Sequence, residues 1–571
     1  MKYFEGIGKS KMKNKKINIH LLVASALVIL YLVLISVQPI KAYPFARFDD
    51  ELMVEQAESI LKGQYLGKYN PRTLVKGIFT PMFIAVIAKL NIPFILAQNI
   101  LYIFSIGMFI NVIKKKIDNK NVLLILFAFL LFNPIMFSTE LCRLYRDGIY
   151  VSLLMFFISS VLGIFLNRKE KIKKLIIYYI TLGLSFSFIY ICREETIWIM
   201  PFLGISTLVT ILFVIFEKKC FEKIKKLCLY LLPIMIFLIT ILSVCTLNYK
   251  HYGVFQLNQY WSREFKEAYG AMTRIIPEEE IDKVPVTKDT IKQIATISPT
   301  FKQIEKVLSQ SALGWSLSGD GKLSEIQGGW YHWALMEAME RNGYFENATK
   351  ANEFYEKVAQ EINEACDSGQ IQNCLSQKRV SNTCRFDIED ILKALKKSPN
   401  TIKYQYSLQD VQIEVKNGNN RISKYTKEKL EFIEEISNTE TKQDNMYGNK
   451  FGEIRLKTLE IIKIIYTFIN KYIFYISIAM YLFVLYRFIR EPKRLFEEIL
   501  IITGIAVLYY CRIFVLTFTS EMMWTSAINT MYMATSYVLQ FAFSGLAIIY
   551  GSKEIKKIIK KWREKWERKQ K

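Results

Sequence analysis

Residues 19–40 read IHLLVASALVILYLVLISVQPI, and the chain turns at once to KAYPFARFDDE over residues 41–51. A run of that length without Lys, Arg, Asp or Glu is enough to cross a bilayer as a helix. It is too long for a signal-peptide core and has no small-residue cleavage site, so it is expected to stay as an anchor. Runs of the same kind recur at 93–113, 121–138, 149–166, 174–192, 196–216, 227–247, 466–486, 496–518 and 528–550, about ten spans with the first. One more run, Gly77 to Leu90, is only about fourteen residues and is read as lying at the surface. With 51% hydrophobic and 14% aromatic residues in a chain of 571, the expected fold class is an α-helical polytopic membrane protein.

The distribution of charge tests that count. Residues 1–16, 114–120, 167–174, 217–226, 487–494 and 551–571 carry about +5, +3, +4, +3, +3 and +7, together about +25. That accounts for the net +24 of the whole chain. The positive-inside rule assigns all six segments to the cytoplasm, and ten spans with the short run uncounted place them there together, with both termini. Counting the short run as a span would move Lys114–Lys116 to the other side. The expected location is the cell membrane, multi-pass. Basic residues confined to short loops between spans, without aromatics interleaved on a folded face, argue against a nucleic-acid partner. The basic tail at 553–571, with Trp562 and Trp566 among its lysines, suits a helix lying against anionic lipid.

The chain therefore divides into an amino-terminal membrane domain (1–247) with a first outer loop at 39–79, an extracytoplasmic domain (248–460), carboxy-terminal spans (461–552) and the cytoplasmic tail (553–571). The outer domain reads as mainly helical. Trp330 to Glu346 and Ala351 to Cys366 carry apolar residues at spacings of three and four, as in Phe354, Val358 and Ile362. The stretch from Asn417 to Asn449, rich in Asn, Lys and Glu, reads as an irregular return to the membrane. Cys366 and Cys374 are spaced to close a loop on the oxidising side. His20, His251 and His332 lack metal-ligand spacing, so no metal site is expected from histidine and cysteine, and the need for a divalent ion stays open. No cofactor motif is present: there is no phosphate-cradling glycine loop and no serine triad.

Chemistry belongs on the outer side. Asp49 and Asp50, just past the first span, either cap the following amphipathic helix or supply a poorly hydrated carboxylate that acts as a base. Lys76 either snorkels to the headgroups or binds a phosphate. Arg143, Arg146 and Asp147 stand at spacings of three and four, which on a helix would pair Arg143 with Asp147. Arg193, Glu194 and Glu195 occupy a tight turn of similar depth, and the two turns are candidates to converge on one outer cavity. Gly328–Trp333 is the densest aromatic cluster of the outer domain, with Trp330 a candidate surface for the apolar face of a sugar.

The order of span, acidic pair, amphipathic helix with Gly63-Gln64-Tyr65-Leu66-Gly67-Lys68-Tyr69-Asn70, then Leu74-Val75-Lys76-Gly77 and Pro81, resembles membrane glycosyltransferases of the GT-C superfamily. Arg143-Leu144-Tyr145-Arg146-Asp147 and Arg193-Glu194-Glu195 resemble outer span ends kept charged in mannosyltransferase-like members, and Gly328-Gly329-Trp330 and Phe354-Tyr355 within the outer domain also resemble that group. The resemblance implies a GT-C-like fold, a sugar donor linked to polyprenyl phosphate, and a catalytic carboxylate in the first outer loop. The related acidic pair in the protein O-mannosyltransferases is Asp-Glu. Here the chain reads Asp49-Asp50-Glu51, which leaves either aspartate as the base. Nucleotide sugars are cytosolic, so outward catalytic groups independently require a donor carried through the bilayer. Its phosphate would meet Lys76, Arg143 or Arg193, with Arg146, Glu194 and Trp330 completing the substrate site. The acceptor is open among saccharide, lipid and protein, the product being expected at the cell surface. A polytopic transporter or flippase, or an envelope assembly protein without catalysis, is the alternative.

Overall fold

The computed structural model describes residues 19–43, 46–193, 195–216, 222–315, 325–414, 424–441 and 450–570. The protein is an α-helical polytopic membrane protein. Its helices are α1 (Ile19–Ile35), α2 (Asp50–Leu61), α3 (Phe79–Lys89), α4 (Phe94–Ile113), α5 (Lys120–Leu131), α6 (Asp147–Asn167), α7 (Ile172–Cys192), α8 (Met200–Phe216), α9 (Lys223–Cys228) and α10 (Leu231–Tyr252) in the first half. A second helical domain, the one expected from the sequence to be the outer domain, follows with α11 (Arg263–Met272), α12 (Lys288–Ile297), α13 (Pro299–Trp315), α14 (Gly328–Arg341), α15 (Ala348–Asp367), α16 (Ile388–Ser407) and α17 (Lys424–Ser437). The chain ends in α18 (Lys450–Arg490), α19 (Pro492–Met522) and α20 (Ala534–Gln570).

Among the described residues nine helices are long and apolar enough to cross a membrane, and they fall on the nine later runs read from the sequence. The first run forms α1, which is shorter at 17 residues. Its ends nevertheless reach opposite faces of the bundle. His20 bonds Asn121 at the start of α5 (2.9 Å), and just past the helix the Lys41 amide donates to the Cys142 carbonyl (3.0 Å). Helix α3, only 11 residues long, does not cross. It starts beside Lys76, and soon after it ends the Phe94 amide donates to Thr439 of the outer domain (3.0 Å), so both its ends lie on one face.

Helix α6 is the centre of the bundle, with every residue but Phe156 buried. Its small residues let neighbours approach closely: a Cβ at Gly148 would lie 2.2 Å from the Gln98 side chain, and one at Gly163 2.4 Å from Tyr178. The basic loops gather at one end. Lys116 and Arg168 share Glu497 (2.6 and 2.5 Å), Lys115 pairs with Glu170 (3.1 Å), Lys226 donates to the Arg168 carbonyl (2.7 Å), and Arg494 holds Glu554 (2.6 Å). That convergence places Lys114–Lys116 with the other basic loops, as an uncrossed α3 requires. The expected outcome of labelling follows from it. A cysteine replacing Lys357 on α15 should react with an impermeant maleimide in intact cells, and one replacing Lys115 only after permeabilisation; the opposite pattern would invert the orientation.

Two elements differ from the sequence expectation. Part of the stretch read as an irregular return is α17, because Phe432, Ile433 and Ile436 form an apolar stripe that a composition argument passes over. Helix α20 runs unbroken through residue 553 for 37 residues, roughly 55 Å, so the basic tail continues the last span as one helix. Likewise α18 passes without a break from the outer domain into the bundle. The disulfide Cys366–Cys374 closes the end of α15, with Cα atoms 5.8 Å apart.

Candidate functional site

Asp49 holds the position before α2 where a capping carboxylate would accept amides of the first turn. With φ −122° and ψ −104° it makes no such bond. Its carboxylate pairs instead with Lys76 Nζ, and Arg143 Nη2 stands 3.8 Å away. Asp50 is the buried partner. Its side chain is 2% exposed against 39% for Asp49, and both its oxygens are taken by the Arg143 fork, with Nε–Oδ1 at 3.2 Å and Nη2 on Oδ2. A planar guanidinium over a carboxylate fixes orientation as well as charge. The two aspartates are thus separated physically, one held in the wall and one presented to open space.

Lys76 also donates to Tyr145 Oη at 2.6 Å. What brings it there is Gly77: a Cβ at that position would lie 2.0 Å from the Ile191 carbonyl oxygen, so only glycine lets the loop press against the end of α7. Burial raises the pKa of Asp49, but Lys76 and then Arg143 outweigh it and hold the carboxyl down at about 2. Burial keeps Asp50 above its ordinary value despite Arg143. Arg143 is opposed by burial but held firmly protonated by Asp50 and Asp49.

The local pairing expected at Arg143-Arg146-Asp147 is not formed. Residues 143–146 precede α6 and are not helical, so the spacing of four does not bring Arg143 to Asp147. The pairs cross between turns instead. Arg193, 2% exposed, bonds Asp147, 4% exposed, and also Glu195. Arg512 on α19 reaches Glu195 at 3.4 Å and donates to the Tyr532 carbonyl at 2.8 Å. Arg146 lies over the Tyr145 ring at 5.3 Å and donates to the Cys192 carbonyl at 3.4 Å. Burial works against ionisation of Glu195, yet Arg193 and Arg512 hold it at about 2. Glu194 lies outside the described residues.

These groups face a cavity of about 780 Å³. Asp49, Lys76, Arg143, Arg146 and Glu195 form its floor, Trp330, His332 and Trp333 of α14 its roof, and Trp524 and Tyr532 a side wall. Arg193 sits beneath it, under the Tyr532 ring at 5.2 Å. The roof is tied to the floor: Trp333 packs tilted against Phe48, next to Asp49, with ring centroids 4.4 Å apart, and Lys429 of α17 pairs with Glu51 at 2.6 Å. Gly329 permits the approach of α14 to the Trp524 turn, where a Cβ would meet Trp524 at 2.8 Å. His332 packs on Tyr260 at 4.9 Å, and burial followed by the charge of Lys76 lowers it to about 3, so the ring is neutral near neutral pH. Among the described residues no group of three or more His, Cys, Asp or Glu is placed to hold a metal ion.

Sequence reasoning passed over Arg512 and named Tyr145 and His332 without giving either a role at the site. Arg512 did carry a signal, as the one charge within the apolar run 496–518 apart from its first turn, and a charge inside a span marks a site by default.

A multi-pass helical membrane protein with a composite, charged cavity at one end of its bundle is the class these features define. No family model and no curated protein matches the chain. Two crystal structures of ArnT from Cupriavidus metallidurans, one bound to undecaprenyl phosphate and one in the apo state, are similar to it at 10% and 11% identity. Each match covers 92% of this chain and 77% of that one, at a TM-score of 0.31. That superposition is too loose to align single side chains, and the function below rests on the geometry of this chain.

Proposed function

We propose that the protein is a membrane glycosyltransferase that moves a sugar, hexose in the mannosyltransferase-like reading, from a lipid-phosphate-linked donor to an acceptor on the non-cytoplasmic face. The observation that carries this is an accessible, ionised carboxylate, Asp49, in the first outer loop, set beside Lys76 and Arg143 at the floor of a cavity on the face opposite the basic loops. The basic side chains suit a phosphodiester, and the roof of Trp330 and Trp333 suits a sugar ring.

The reaction is a single displacement. The acceptor hydroxyl oxygen attacks the anomeric carbon, the bond from that carbon to the phosphate oxygen breaks with its electron pair left on the phosphate, and the hydroxyl proton passes to Asp49. The anomeric centre inverts. A carboxylate held at about 2 is a reluctant base. Donor phosphate drawn to Lys76 and Arg143 would take up part of their charge and return basicity to Asp49 as the leaving group becomes more negative. Asp50 keeps Arg143 in place from behind.

The test is release of polyprenyl phosphate from a polyprenyl-phosphate hexose by the purified protein, with acceptor required for full rate. Lys76→Gln and Arg143→Lys are each expected to raise the donor KM about tenfold or more, the second because a point charge cannot reproduce the fork that spans Asp50. Donor affinity unchanged in both variants, or no release by the parent, would remove the phosphate site. The first result would leave Lys76 as a membrane-edge ion pair alone.

A further inference from the structure

Asp49 does not face one space only. A second cavity, of about 720 Å³, adjoins the first, and Asp49, Trp330 and Trp333 are common to the walls of both. The second space is built by residues 46–49, by Asn70, Pro71 and Arg72, and by one face of α14 through Met336, Glu337, Glu340 and Arg341. No residue of a membrane-crossing helix lines it, whereas the first cavity takes in Ile197, an exposed apolar residue at the head of a span. The first space therefore reaches the head of a span, and among the described residues the second does not.

The chemistry of the second wall is mixed. Arg72 is held by Glu55 at 3.1 Å and by the Arg47 carbonyl at 2.9 Å, and Arg341 is paired with Glu337 on its own helix. The side chains of Arg47 and Glu340 are exposed at its rim. Donors and acceptors in near balance around two indole rings fit a neutral polyhydroxylated ligand. They do not fit an acyl chain, which would need an apolar wall, or a multiply charged headgroup, which would need one dominant sign.

We propose that this second cavity receives the acceptor and that the acceptor is a water-borne saccharide end, entering between the first outer loop and α14. The proposal rests on the glycosyltransferase function above and extends it to the acceptor class. Asp49 then stands in the one place where a hydroxyl from the second cavity and an anomeric carbon in the first come within reach of the same carboxylate. Trp330 and Trp333 form the partition that holds the two rings apart from bulk water.

The experiment supplies radiolabelled polyprenyl-phosphate mannose to the full-length protein in nanodiscs. Its acceptors are either the aqueous saccharide fraction or the butanol-extractable lipid fraction of the source envelope. Label is expected in the aqueous fraction, and Arg47→Ala and Glu340→Gln are each expected to raise the KM for that fraction about tenfold with the donor KM unchanged. Label entering the lipid fraction overturns the proposal, as does an acceptor KM that neither variant moves. Label entering envelope protein alone overturns it as well, whereas failure of the parent to release polyprenyl phosphate from mannosyl and other hexosyl donors with saccharide, lipid and protein fractions all present sinks the glycosyltransferase function itself, an outcome distinct from the others.

Discussion

Asp49→Asn is expected to lower the transfer rate roughly a hundredfold or more while the protein still folds and melts normally. The amide fills the same space and can still accept a hydrogen bond from Lys76, but it cannot take a proton from the acceptor. Because Asp49 makes no capping bond to α2, the substitution leaves the helix start untouched. Asp50→Asn should behave differently. Its side chain is almost wholly buried on Arg143, so it should lose stability and donor affinity together as the fork loses its charged partner. The pH profile separates the roles further. Asp49 is depressed to about 2, so its stabilising pair with Lys76 is present above the ordinary carboxylate range and lost only as pH falls through about 2. His332 is neutral down to about 3. Neither group in the free enzyme therefore titrates between about pH 5 and 8, and kcat/KM should show no inflection there from either. Parental transfer rates in Asp49→Asn would put the base elsewhere and leave Asp49 as a counter-ion for Lys76.

The spans were legible because a bilayer imposes a length and an apolar composition that no other solution satisfies, and the basic loops fixed which runs to count. The site was legible in its members and not in its pairings. Asp49 stood just past the first span, Lys76 at the membrane edge before the short run, and Arg143 and Arg193 at outer span ends, each a property of one position and its neighbours. That Arg143 would choose Asp50 over Asp147, and Arg193 choose Asp147, depends on how separate turns are brought together across the bundle, and spacing along the chain says nothing of that once the helix begins only at residue 147. The cap, one of the two readings open for Asp49, is a sound local inference that loses to a charge from residue 76, which local rules do not see. The roof was visible as aromatic density at Gly328–Trp333. Its function as a roof depends on Gly329 meeting Trp524 and Trp333 meeting Phe48, contacts across long stretches of sequence.

Arg193→Leu should be the most destabilising single change near the site, at about 3–5 kcal/mol. The guanidinium is 2% exposed and faces Asp147, itself 4% exposed, so its removal leaves a carboxylate in the wall of the bundle with little water and without its ion-pair partner, opposed only by the weaker fields of Arg146 and Arg512. The cost arises from the orphaned partner more than from the lost attraction. The double variant Arg193→Leu with Asp147→Leu tests that directly. It removes one charge of each sign and leaves Glu195 with Arg512 at 3.4 Å, so most of the lost stability should return, although the ring of Tyr532 loses the cation beneath it. Thermal melting of the purified variants, followed by tryptophan fluorescence with chromatography to confirm a single species, reads the effect. Equal losses in the single and double variants would mean that the pair is held for its shape. A single variant as stable as the parent would mean that water from the cavity reaches Asp147 and solvates it, and the network beneath the floor would then act as a wet electrostatic surface.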